Sequence, residues 1–245
     1  MFTLPHIIWL AVIAIAIAAT LVLTKKYNVS HALVQRVVLV VLVVLKVFHL
    51  SLSMKALPDG SMVINQTQLS FHLCSVMIYA NILINVVKNE KFVKVVKSFM
   101  VPCMLIGAAM ALLIPTEGVS VLKPRVWQYM LIHGTLVFYG LYLGIIERVD
   151  MSFKVYLNNL KLLLAVVMVA FLMNSVLEEY NVNFLFLRKP PMEGLPILNL
   201  DNGWYVYFIC LAFIACLLLF LVHLPFIIHE ARKSKEIALK EDIKA

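Results

Sequence analysis

Apolar residues dominate seven stretches of the chain, 4–24, 32–54, 69–87, 94–115, 127–147, 155–177 and 204–228, with short polar segments between them. A helix of about 20 residues crosses the ~30 Å hydrocarbon core of a bilayer. Within that core only helices and closed barrels satisfy their own backbone polar groups. The pattern therefore predicts an all-α, polytopic transmembrane bundle of about seven helices. One domain is expected over residues 1–230, followed by a short charged tail over 231–245. The first run is expected to stay attached as a span, because Lys25 and Lys26 follow its apolar stretch and no small-residue cleavage pattern closes it. The connections are short, and the sequence shows no internal repeat or low-complexity tract.

Composition agrees with lipid as the solvent: 63% of residues are hydrophobic, 14% are charged, and mean hydropathy is +0.96, against about a quarter charged in soluble domains. Charge adds an orientation. Basic residues near helix ends are retained on the cytoplasmic side. With the amino terminus outside, the inner segments hold thirteen Lys and Arg, among them Lys25, Lys26, Lys97 and Arg148, while the outer segments hold five: Lys55, Lys123, Arg125, Arg188 and Lys189. The expected topology is amino terminus outside and carboxyl terminus in the cytoplasm. This asymmetry accounts for the net charge of +8 without a nucleic-acid partner.

Against the apolar background a few polar side chains stand out. Ser70, Cys74, Asn81 and Asn85 fall on one face of the third predicted helix, with His72 about 200° around from them. Lys46, His49 and Ser53 form a similar stripe on the second. The fifth carries His133 beside Gly134 and Thr135, and the sixth ends with Asn174 and Glu178 a turn apart. Ionisable groups inside a membrane normally face the bundle interior and mark a site or pathway. In the expected topology His49, His72, Cys74, His133, Asn174 and Glu178 share the outer half. Cys103, Cys210 and Cys216 have apolar neighbours and read as packing, and no cysteine spacing suggests a disulfide framework or a metal. Residues 181–203 combine Pro190, Pro191, Gly194 and Pro196 with the apolar NFLFL, which predicts an irregular loop over the bundle mouth with Arg188 and Lys189 at headgroup level.

Several of these residues carry a resemblance. The HLC triplet, the histidine of IHG 59 residues after the cysteine, and the Asn-x8-NFLFLRKP segment followed by DNGWYVYF resemble the YwaF-like bacterial integral membrane family. That family is similar to the eukaryotic transmembrane acyltransferase that remodels ether phospholipids with arachidonoyl chains. The likeness covers roughly 49–210, and the asparagine-to-KP segment is its most specific part. It implies a transacylase of the bacterial plasma membrane in which Cys74 holds the acyl chain as a thioester and His133 serves as base. Phospholipid and lysophospholipid would be the substrates, and neither cofactor nor metal is implied. His49, His72, Asn81, Asn174 and Glu178 would support the site, Arg188 and Lys189 would contact the headgroup, and Cys74 and His133 would approach directly or through one water. Asn174 and Asn183 would fix the loop by hydrogen bonds. Two other classes fit the polar residues: a small-molecule transporter or channel, and a bis-histidine haem protein ligated by two of His49, His72 and His133. A retinal protein is disfavoured, because the seventh run has no lysine.

Overall fold

Six of the apolar runs fold into helices long enough to cross a membrane in the computed structural model, which describes residues 2–56, 61–69, 71–192, 194, 195 and 197–242, side chains 55, 56, 68 and 233–242 excepted. These are α1 (Leu4–Lys26), α2 (His31–Leu52), α4 (Glu90–Leu113), α5 (Pro124–Leu141), α6 (Phe153–Val176) and α7 (Trp204–Asp242). Helix α5 continues without a break into a π-helical turn, Tyr142–Glu147. Helix α7 continues as one helix into the charged tail. Of the tail lysines, Lys233, Lys235 and Lys240 have no described side chain and Lys244 lies outside the described residues, as do Ser70 and Pro196.

The third run departs from expectation. Its helix, α3, spans only Leu73–Val86, 14 residues, or about 21 Å at 1.5 Å per residue. The physical cause lies just upstream. Asn65 Oδ1 accepts hydrogen bonds from both the backbone N–H and the hydroxyl of Thr67, stabilising a 3₁₀ turn at Gln66–Gln68. Such local side-chain bonds compete with helix formation. Leu69 and His72 are extended, and His72 becomes the N-cap. The angular separation expected between His72 and Cys74 therefore does not apply, because His72 is not in the helix. A small antiparallel ribbon also precedes α3, with β1 (Met54–Ala56) pairing Met54 to Ile64 of β2 (Met62–Ile64).

Helices α4 and α5 form the inner pair. Met100, Val101, Met104 and Ala108 of α4 and Met130, Leu136 and Tyr139 of α5 are fully buried. Small residues permit the close approach: a Cβ built on Gly140 would lie 3.2 Å from Leu105 and Met104, and one on Gly134 would lie 3.2 Å from Ile13 of α1. Around this pair, α1, α2, α6 and α7 turn apolar side chains such as Ile15, Val44, Leu172 and Phe213 outward, as lipid-facing surfaces do.

Between α6 and α7 the described residues include two 3₁₀ turns, Glu178–Tyr180 and Phe184–Phe186. Three residues of this linker, Asn181, Leu185 and Phe186, adopt left-handed backbone angles near φ +55°, which β-carbon sterics disfavour. Asn174 at the end of α6 holds the second turn: its amide donates to Phe184 O at 3.1 Å, and its carbonyl accepts from Phe184 N at 2.8 Å. Asn183 grips the far side, donating to Lys189 O at 2.8 Å and accepting from Arg188 N at 3.0 Å. Both asparagines thus brace the loop as expected.

Candidate functional site

Cys74 sits in the first turn of α3, half-buried, where that helix leans on α4. Gly107 faces this turn: a Cβ there would lie 3.3 Å from Leu73 Cδ2, a tight contact, and 3.5 Å from Cys74 Sγ, an ordinary one.

His133 is buried on α5. Its Nδ1 lies 2.7 Å from the carbonyl oxygen of Tyr129, one turn earlier. A carbonyl can only accept, so Nδ1 carries the proton and Nε2 holds the lone pair. The Tyr129 ring packs against the imidazole at 4.3 Å between centroids and is itself tied through its hydroxyl to Ala111 O at 3.0 Å. His133 is consequently fixed in orientation and tautomer, with Nε2 as its basic atom. Among the described residues Nε2 has no hydrogen-bond partner, and no hydrogen bond joins it directly to Cys74.

The surrounding polar groups come from three further segments. On α2, Lys46 Nζ donates to Ser75 Oγ at 3.4 Å and lies near both His49 and His72. His49 stands beside Gln128 of α5, whose amide donates to Leu45 O at 3.3 Å. His49 and His72 lie in the neighbourhood of His133, and Cys74 in that of Tyr129 and Cys103. His72 packs against the linker, 5.5 Å from the rings of both Phe184 and Phe186, and Phe71 meets Phe184 at 5.2 Å. Phe184 is fully buried. The apolar linker therefore lies over the residue two positions before Cys74.

The other residues singled out from the sequence have different company. Asn81 is fully buried on α3, with Asn85 Nδ2 donating to its backbone oxygen at 2.7 Å and its own Nδ2 unpartnered. Seven positions along α3 from Cys74, about 10 Å along the axis, it is beyond hydrogen-bond reach of an oxyanion formed at the sulfur. Asn174 is occupied with the Phe184 backbone. Glu178 accepts from Arg188 Nη2 at 2.7 Å, leaving Arg188 Nη1 buried without a partner. A cleft of about 260 Å³ opens there, lined by Phe171, Asn174, Ser175, Glu178, Arg188 and Trp204 among others. Cys74 is not part of its lining.

Gln128, Tyr129, Ser75 and Gly107 were not anticipated. Tyr129 could have been found as the residue one helical turn before His133, and Gln128 as an uncharged polar group in an otherwise apolar stretch. No curated protein and no solved structure matches the chain. A family model matches over residues 1–223 and bears out the resemblance carried by HLC, IHG and NFLFLRKP: the chain belongs to the TMEM164 family.

Proposed function

We propose that the protein is a membrane-embedded phospholipid transacylase, with Cys74 as nucleophile and His133 as its base. The observation that supports the reading is the Nδ1–H···O bond to Tyr129, which leaves Nε2 as the basic nitrogen of His133 on a helix packed against α3, the helix that carries Cys74. A thiol in apolar surroundings is a weak nucleophile until a base removes its proton. In the first half-reaction Nε2 takes that proton and Sγ attacks the ester carbonyl of a phospholipid. The tetrahedral oxyanion collapses to a thioester, and the imidazolium returns the proton to the departing lysophospholipid alkoxide. In the second half-reaction the hydroxyl of an acceptor lysophospholipid attacks the thioester. Its proton goes to Nε2, the C–S bond breaks, and the thiolate is reprotonated.

Lys46, held toward α3 by Ser75, supplies a fixed positive charge on this side of the bundle, which favours anionic intermediates. Phe184 and the NFLFL segment form the apolar wall near His72 along which an acyl chain would lie. Lys189 is exposed and available to a lipid phosphate, and Arg188 and Trp204 line the neighbouring cleft. With the amino terminus outside, this whole assembly lies in the outer leaflet.

The test is intact-protein mass spectrometry after incubation with phosphatidylcholine, followed by hydroxylamine. Added mass equal to one acyl chain, mapped to Cys74 and released by hydroxylamine, is the expected result. An unmodified Cys74 after exposure to phospholipids of varied headgroup and chain length would sink the reading.

A further inference from the structure

A second cleft lies at the other end of the bundle, where α1 hands over to α2 beside the π-helical turn. Its volume is about 500 Å³ and its lining includes Thr24, Lys25, Asn28, Ser30, His31 and Arg148, within the size range of small-ligand sites. From His133 to Arg148 is fifteen residues along the chain, or about 22 Å of helix, so this cleft is separate from the cysteine cluster.

The charges around it are sorted by the backbone. The π-helical turn ends with Arg148 in the left-handed region, φ 57°, its backbone N–H bonded to Leu143 O. Glu147, immediately before, turns inward and is held by Lys97 of α4 at 2.6 Å. Asp150, two residues after, accepts from Ser152 N at 2.9 Å. Glu147 is thus committed to Lys97 and Asp150 is engaged by a backbone N–H, while among the described residues neither Lys25 nor Arg148 has an ion-pair partner. His31 is fixed on the cleft wall by its Nδ1 at 2.7 Å from the Tyr142 hydroxyl. Two cations without counter-ions, together with hydroxyl and imidazole groups on one concave surface, complement a compact anion of tetrahedral shape.

We propose that this cleft binds a phosphate group between Lys25 and Arg148, supplied either by an anionic lipid headgroup or by free phosphate. The location at the helix ends suits a lipid headgroup, and the wide turn at Tyr142–Glu147 is the device that separates the cation from its neighbouring carboxylate.

The purified full chain is reconstituted in phosphatidylcholine vesicles containing a minority of spin-labelled phosphatidylglycerol, and the protein-restricted fraction is compared with that of spin-labelled phosphatidylcholine. In parallel, inorganic phosphate is titrated calorimetrically into the detergent-solubilised protein. Each cation neutralised, by Lys25→Gln or Arg148→Gln, should lower the preference about fivefold. The exchange of Lys25→Arg with Arg148→Lys should preserve it. Both cations are exposed at helix ends, so the fold should survive, which circular dichroism checks. Loss of lipid preference in the double glutamine variant identifies a headgroup. Loss of inorganic phosphate binding alone identifies the free anion. Anion preference and phosphate binding both unchanged in that variant would overturn the site. Cys74→Ala should leave all of these readouts as they were, so the result is independent of the thioester chemistry.

Discussion

Where α5 closes in its π-helical turn, several buried polar groups pair with one another: Lys97 meets Glu147 at 2.6 Å, and Asn159 bridges Ser98 O and His223, each at 3.1 Å, while the Tyr139 hydroxyl and Glu147 Oε2 stay without a hydrogen-bond partner among the described residues. His223 in turn meets Met151 O, also at 3.1 Å. At the opposite end, where α3 begins, the arrangement differs. Cys74 lies against α4 at Gly107, His72 packs on the rings of Phe184 and Phe186, and His133 is held by a carbonyl that fixes its tautomer. A layer of fully buried Leu42, Met77, Met100, Met104 and Leu136 separates the two. The lesson is that polarity inside a membrane protein does not by itself mark chemistry. Groups that consume one another's donors and acceptors hold helices together, whereas groups left with an open lone pair or thiol remain available to a substrate.

The comparison breaks most sharply at Cys74. Cys74→Ala should abolish acyl transfer from labelled phosphatidylcholine while leaving the thermal unfolding midpoint within a small margin of the parent. Residual transfer at the parental rate would move the chemistry elsewhere. His133→Ala should slow thioester formation by about 10²–10⁴-fold, the usual worth of a positioned general base, as read from the initial release of lysophospholipid. If His133→Ala retains the parental rate, the Tyr129-fixed tautomer has no catalytic meaning.

The opposite end should answer in stability and not in rate. Lys97→Met leaves Glu147 in the bundle without its cation, and should cost about 3 kcal/mol, the low end for breaking a buried pair, since the two side chains are 11% and 17% exposed. Unfolding in detergent measures the loss, and acyl transfer per folded molecule should be unchanged. A collapse of activity in the folded fraction would couple the two ends. Asn174→Ala removes both bonds to Phe184 and should cost about 1–3 kcal/mol. Its effect should be local, seen as faster amide exchange over 181–189 and weaker substrate binding before any change in the overall midpoint. Smallest of all, Gly107→Ala crowds Leu73, the residue before Cys74, by a few tenths of an ångström, while its Cβ would meet the thiol at an ordinary contact distance. It should reduce the acylation rate several-fold with little change in stability, and a null effect would mean that Cys74 tolerates displacement.

The Arg188–Glu178 pair modifies what can be asked of the linker. Reversing Arg188 would face two carboxylates across a contact of 2.7 Å, so Arg188→Gln is the cleaner probe of headgroup binding. The pair is exposed enough that its own contribution is on the order of 0–1 kcal/mol.

Much of the architecture was legible in one dimension. Long apolar runs leave the backbone no option in lipid except to pair with itself, so α1, α2, α4, α5, α6 and α7 were readable from their length and composition. The asparagine brace around NFLFL could also be anticipated, because Pro190 and Pro191 block regular structure and a non-helical segment beside lipid needs side-chain partners. Tertiary structure decided the rest. Leu69 and His72 lay within a run compatible with helix, but they follow the Asn65–Thr67 turn in extended conformation, and α3 is too short to cross alone. The tautomer of His133, the contact of Gly107 with the Leu73–Cys74 turn, and the sorting of Glu147 from Arg148 all depend on where a carbonyl, a missing Cβ or a distant lysine comes to rest. Hydropathy reports the free energy of each residue against lipid. It carries no information on which atoms from separate helices meet, and it is those meetings that distinguish a structural polar group from a reactive one.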